Sequence, residues 1–172
     1  MMIHVKLTKL LFDTMRADLR RPHPFAYERV GFILARKEQA DVALNIFATS
    51  YQPIPDAQYM NDPNVGAKIG ADALRGIMQK AYQSKDCIMH VHLHEHSGPP
   101  RFSKTDRFGY NQMIPSFHNI GGAAVHGGMV FSFDSAIGLI WISKSSEPLP
   151  VNKLSIIGYP LQIQKTGVGG YV

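Results

Sequence analysis

Cys87-Ile88-Met89-His90-Val91-His92-Leu93-His94-Glu95-His96 runs through Ser97-Gly98-Pro99-Pro100 into Arg101-Phe102-Ser103-Lys104-Thr105-Asp106. Four of the eight histidines of the chain stand here at alternate positions. Successive side chains of an extended strand face opposite ways, so His90, His92, His94 and His96 are expected on one side. At about 3.3 Å per residue, neighbours two apart lie roughly 6.5 Å from each other, close enough for two imidazoles to share a metal ion at bonds of about 2.0–2.1 Å. Residues four apart cannot share an ion unless the strand bends. One adjacent His-x-His pair is therefore the expected ligand set, with a third ligand from elsewhere, and Asp106 is the nearest carboxylate able to swing back after the turn.

Working outward, the segment Ala71 to Ser84 places Leu74, Ile77, Met78, Ala81 and Tyr82 on one helical face and leads directly into the histidine strand. After the histidines, Ser103-Lys104-Thr105-Asp106 fits a helix start with a capping box, and Gly109 and Pro115 predict a short, interrupted helix. Met129 to Phe133 and Ala136 to Ser143 read as a hairpin turning at Asp134-Ser135.

Nearer the amino terminus, Met2 to Lys6 reads as a strand. Thr8 to Arg20 reads as an amphipathic helix capped by Thr8, with Leu11, Met15 and Leu19 four apart. Phe25 to Ala35 is apolar enough for a buried central strand, with Glu28 its anomaly. A carboxylate there needs a metal, a basic partner such as Arg29, or a solvated strand end. Val42 to Ser50 forms a hairpin with it across Lys37 to Asp41. Tyr51 to Lys68, rich in Pro, Asp, Asn and Gln, reads as a long surface loop with room for a short strand, of a length that is often functional. Lys153 to Ile157 is strand-like, and Gly169-Gly170-Tyr171-Val172 reads as a loose tail.

A chain of 172 residues, 45% of them hydrophobic, fits a single domain spanning 1–172. Its core is expected over about 5–145, with a C-terminal extension over about 146–172. No apolar run approaches the roughly 18 to 20 residues that cross a bilayer, and the amino terminus lacks a signal-like pattern, so a cytoplasmic protein without a membrane partner is expected. The lone Cys87 excludes an intramolecular disulfide and a Cys-rich zinc site, and is expected to be a buried strand residue. The net charge of +5 permits an acidic partner, but the basic residues are dispersed and no nucleic-acid motif is present, which argues against nucleic acid.

Glu28 in Glu-Arg-Val-Gly-Phe-Ile-Leu, then His-x-His, then Ser103-x-x-Asp106, in that order, resembles the JAMM/MPN+ (JAB domain) zinc metalloprotease family, in particular its stand-alone prokaryotic deubiquitinase-like members. That family places seven residues between its second His and its Ser. Here eight separate His94 from Ser103 and six separate His96 from Ser103. A loop holding Gly98-Pro99-Pro100 absorbs an extra residue more cheaply than a formed site loses one, which favours His92 and His94. His96 stays an alternative ligand, and His90 is expected deeper in the strand, satisfied by hydrogen bonds.

The resemblance implies an α/β (α+β) cytidine-deaminase-like JAB/MPN domain, a mixed central β-sheet flanked by helices. It implies Zn2+ held by His92, His94 and Asp106, with Glu28 as general base and Ser103 as oxyanion donor. The implied reaction is hydrolysis of the amide bond after the C-terminus of a ubiquitin or ubiquitin-like protein, in its conjugates or precursors. The implied partners are that ubiquitin-like protein and E1- or E2-like conjugation enzymes. The alternative is a non-catalytic MPN-like scaffold that binds such partners without cleaving them.

Overall fold

The computed structural model describes residues 1–24, 26–122, 125–159 and 162–164. Phe25, where the second strand was expected to begin, and the tail Gly169-Gly170-Tyr171-Val172 lie outside the described residues. Strands β1 (Met2–Thr8), β2 (Val30–Ala40), β3 (Ala43–Pro53), β4 (Cys87–Leu93), β5 (His126–Phe131), β6 (Ala136–Trp141), β7 (Leu149–Pro150), β8 (Lys153–Ile157) and β9 (Gln162–Gln164) form one sheet in the order β7-β6-β5-β4-β2-β3-β1-β8-β9. Three α-helices accompany them, α1 (Lys9–Leu19), α2 (Ala71–Ser84) and α3 (Lys104–Asn119). Among the described residues no helix is long and apolar enough to cross a membrane.

This architecture corrects the expected cytidine-deaminase-like JAB/MPN α/β (α+β) domain. The described residues are mostly sheet, a curled half-barrel with three α-helices. Two causes extend the sheet. The β2–β3 hairpin runs eleven residues on each side around a two-residue turn, and its outer part, 36–40, is exposed. The segment after residue 146 then adds strands at both edges, with β7 beside β6 and β8 parallel to β1 through His4↔Lys153 to Thr8↔Ile157.

Two apolar clusters hold the elements. Phe12, Met15 and Leu19 of α1 join Val5, Ile46, Met89 and Leu154 in one. Ile77 and Ala81 of α2 and Tyr110, Ile114 and Phe117 of α3 join Phe32, Ile88 and Trp141 in the other. Thr8 caps α1 by accepting from the Leu11 N–H at 3.2 Å. The buried stripe of α1 begins at Phe12, with Leu11 only half-buried. Helix α2 has the expected bounds, but its buried stripe is Ala73, Ile77 and Ala81, leaving Tyr82 exposed.

Helix α3 is longer than Gly109 and Pro115 predict, for it runs through both to Asn119. An interior Gly costs about 1 kcal/mol and a Pro about 3. Burying Tyr110, Ile114 and Phe117 contributes about 1.5–3 kcal/mol for each large side chain, which outweighs them. Beyond α2, Lys85 takes a left-handed φ of 58° and turns the chain into β4. All seven residues of β4 are buried, Cys87 included, whose thiol is pushed up to about 11 by burial.

Candidate metal centre

Strand β4 pairs antiparallel with β2, Val30 opposite His92 and Gly31 opposite Val91. Continuing that register two residues beyond the ladder brings residue 28 opposite His94. Glu28 and His94 do meet there, with Glu28 Oε2 3.9 Å from His94 Nε2. Glu28 stands just before β2 rather than inside a strand. The N–H groups of Tyr27 and Glu28 both donate to the Gly66 carbonyl, at 2.8 and 3.1 Å, instead of entering the sheet.

The imidazole row forms as its period predicts. Ring centroids lie 5.8 Å apart from His90 to His92, 5.1 Å from His92 to His94 and 5.8 Å from His94 to His96. Along the row the environment changes. His90 and His92 are buried in β4, His94 is half-buried just past its end, and His96 is exposed. Burial foremost lowers the pKa of His90, His92 and His94, the first two to about 3, which keeps the rings neutral and their nitrogens able to ligate. His90 is not satisfied by hydrogen bonds as expected, because among the described residues its Nδ1 has no partner and its ring instead packs edge-on against Phe32 and Tyr110.

Glu28, His92 and His94 each offer a ligand atom within 4.8 Å of the others, a group close enough to hold a metal ion. Asp106, an expected ligand delivered by the first turn of α3, stands beside this group rather than within it, with Oδ1 3.5 Å from His92 Nε2. That separation is close to the roughly 3.4 Å edge of a tetrahedron built on bonds of about 2.0–2.1 Å. The donor set fits a divalent cation on two further grounds. His92 is 1% exposed and, among the described residues, neither ring nitrogen has a hydrogen-bond partner. Two carboxylates also crowd together, since burial and then the charge of Asp106 push the Glu28 carboxyl up to about 7.

Ser103 caps α3. Its Oγ accepts from the Asp106 N–H at 3.0 Å, while its own N–H and hydroxyl donate to Asp106 Oδ2 at 2.6 and 2.7 Å. This leaves Oδ1 of Asp106 facing His92. The capping box thus orients the Asp106 carboxylate, and the Ser103 hydroxyl is engaged in that task. His96 stands apart from the metal group, with Nδ1 2.9 Å from the Ser97 carbonyl oxygen.

Sequence reasoning did not reach several supporting residues. Gly66 sits so close that a Cβ there would lie 2.0 Å from Glu28 Oε1. Arg29, 1% exposed, pairs with Asp56 at 2.8 Å rather than with Glu28, and donates to the Arg21 carbonyl. The Tyr59 hydroxyl accepts from the Val30 N–H at 3.0 Å and donates to the Val30 carbonyl at 2.9 Å, which fixes the strand start behind Glu28. On the far side, Asp134 Oδ1 accepts from the Gly98 N–H at 2.7 Å and pins the histidine loop to the β5–β6 turn. The composition of Tyr51 to Lys68, rich in Pro, Asp, Asn and Gln, gave no local sign of the role of Gly66. An Arg beside a candidate catalytic Glu was visible, but its partner Asp56 was not.

No protein-family model and no curated protein matches this chain. Among solved structures it is similar to the Trichoplax adhaerens STIL N-terminal domain, at 11% identity and a TM-score of 0.35, over 79% of this chain and 40% of that one. That neighbour is not a JAB/MPN domain, and at this TM-score the likeness assigns no function.

Proposed function

We propose that the protein is a zinc-dependent isopeptidase or peptidase of the JAMM type, which hydrolyses the amide bond after the C-terminus of a ubiquitin-like protein. The observation that carries this reading is the convergence of Glu28, His92, His94 and Asp106 from three separate parts of the chain. His92, His94 and Asp106 would hold the zinc. When bound, zinc would supply Lewis-acid activation of a water and of the scissile carbonyl.

The residues of the chain supply the rest. Glu28, beside His94 at 3.9 Å, is placed to take a proton from water and return it to the leaving amine. Ser103 holds the Asp106 carboxylate through its N–H and its hydroxyl, and if the exposed hydroxyl turns toward a developing oxyanion the N–H keeps that carboxylate in place. The irregular segment 54–69, which carries Gly66 against Glu28, would form one wall where an extended substrate tail would lie. A tail ending in glycine suits so close a backbone approach.

The test is incubation of the purified protein with a panel of ubiquitin-like fusions and conjugates, with and without chelator. About one zinc per chain and chelator-sensitive cleavage that Glu28→Gln abolishes are expected. Metal-free protein, or full activity in Glu28→Gln, would refute the reading, and binding of a ubiquitin-like protein without cleavage would make the chain a scaffold.

A further inference from the structure

Behind α3, on the other side of Tyr110 from the histidines, lies a cleft of about 920 Å³ between α3, β6 and the 144–150 segment. Its floor is aromatic and aliphatic, made by Phe102, Tyr110, Ile114, Leu139 and Trp141. Three of these rings pack on one another, with Tyr110 5.7 Å from Phe102 and 5.5 Å from Trp141.

The charge around it is mostly positive. Arg101, Arg107 and Lys144 line the cleft against a single carboxylate, Glu147. Lys144 donates one hydrogen bond, to Asn119 Oδ1 at 3.1 Å, and an ammonium carries three donors. Arg101 is exposed at the rim, next to the proline pair 99–100. A concave apolar site of about 300–1,000 Å³ with a few convergent polar groups is the usual form of a small-molecule site. Guanidinium groups match the planar, two-oxygen head of a carboxylate or phosphate.

We infer that this cleft binds a small amphipathic anion, an apolar body seated on Trp141 and Tyr110 with a carboxylate or phosphate head at Arg101, Arg107 and Lys144. Binding here is independent of the metal group. It would nonetheless press on Phe102, the residue before Ser103, and on Tyr110, whose ring also packs edge-on with His90 at 5.7 Å.

Trp141 is the single tryptophan of the chain, so its emission reports the cleft directly. The experiment titrates the full chain with decanoate, decyl phosphate, uncharged decanol and inorganic phosphate, following Trp141 emission with chelator present to silence the metal group. A saturable change is expected with decanoate or decyl phosphate, the tighter of the two identifying the head group. At least tenfold weaker binding is expected for decanol and for the surface double variant Arg101→Glu/Lys144→Glu, with no change for inorganic phosphate. Absence of a saturable change with both anions would overturn the inference. So would equal binding of decanol, or equal binding by a double variant whose thermal unfolding matches the parent.

Discussion

Gly66→Ala isolates the position of Glu28 from the stability of the fold. A Cβ at residue 66 would lie 2.0 Å from Glu28 Oε1 and 2.7 Å from its carboxyl carbon, against ordinary contacts of 3.4 Å or more. The carboxylate must therefore retreat by about 1.4 Å, the difference between those two distances. The obstructing atom is the far end of a flexible side chain rather than backbone, so the retreat is cheap and the fold should survive with at most about 1 kcal/mol of destabilisation. Catalytic geometry is less tolerant, because a misplacement of about 1 Å costs on the order of 10²-fold in rate. Gly66→Ala is expected to lower turnover of a ubiquitin-like fusion by about 10²-fold while its thermal unfolding stays near that of the parent. Zinc affinity, measured by competition with a chromogenic chelator, separates the two roles open to Glu28. It holds if Glu28 acts only as a base, and falls together with turnover if Glu28 also ligates. A Gly66→Ala protein with parental turnover and parental zinc affinity would show that the Glu28 carboxylate serves neither role.

Along the histidine row, His92→Ala and His94→Ala are expected to lose bound zinc, while His90→Ala and His96→Ala keep it by elemental analysis. Retention in His92→Ala with loss in His96→Ala would move the ligand pair one step along the strand. In metal-free protein, burial raises the folded-state Glu28 carboxyl from 4.5 to about 7, so its ionised form opposes folding. At about 1.36 kcal/mol per pH unit, Glu28→Gln should then stabilise the chelated protein by about 3 kcal/mol above pH 7, a gap that closes as pH falls toward 4.5. Denaturant unfolding of both proteins at several pH values checks this, and a gap independent of pH would contradict it. Tyr59→Phe removes both hydrogen bonds to Val30 and should cost about 1–3 kcal/mol in the same assay.

What the sequence displays and what it hides divide along range of interaction. Alternation at 90, 92, 94 and 96 shows the imidazole row, and Ser103-x-x-Asp106 shows the helix start, because both are local periods. The extent of the sheet is not local. Strand β8 lies against β1 through pairs such as Val5↔Leu154, and neither segment carries a mark naming its partner. The same holds for α3, where Gly109 and Pro115 state a local preference that burial of Tyr110, Ile114 and Phe117 overrides. Gly66 is hidden for a different reason. In a loop rich in Pro, Asn and Asp, a glycine needed for close approach to Glu28 reads the same as one needed for a turn.

The eight-residue spacing from His94 to Ser103 carries less weight once both ends of that loop are located. His94 is tied to β5 by its N–H donating to the Phe131 carbonyl at 2.8 Å, and Phe133 N–H donates to the His96 carbonyl at 2.9 Å. Gly98 adopts a φ of 90°, open to glycine and costly for other residues, and its N–H is held by Asp134. Ser103 is held by its own capping box. The ligand positions are thus set by β4 at one end and α3 at the other, and one added residue lengthens only the arc between them. Closure entropy grows slowly with loop length, so such an insertion costs a few tenths of a kcal/mol at most. Spacing therefore discriminates between His94 and His96 less well than sheet register does. Residue 28 falls opposite His94 whatever the length of the loop that follows.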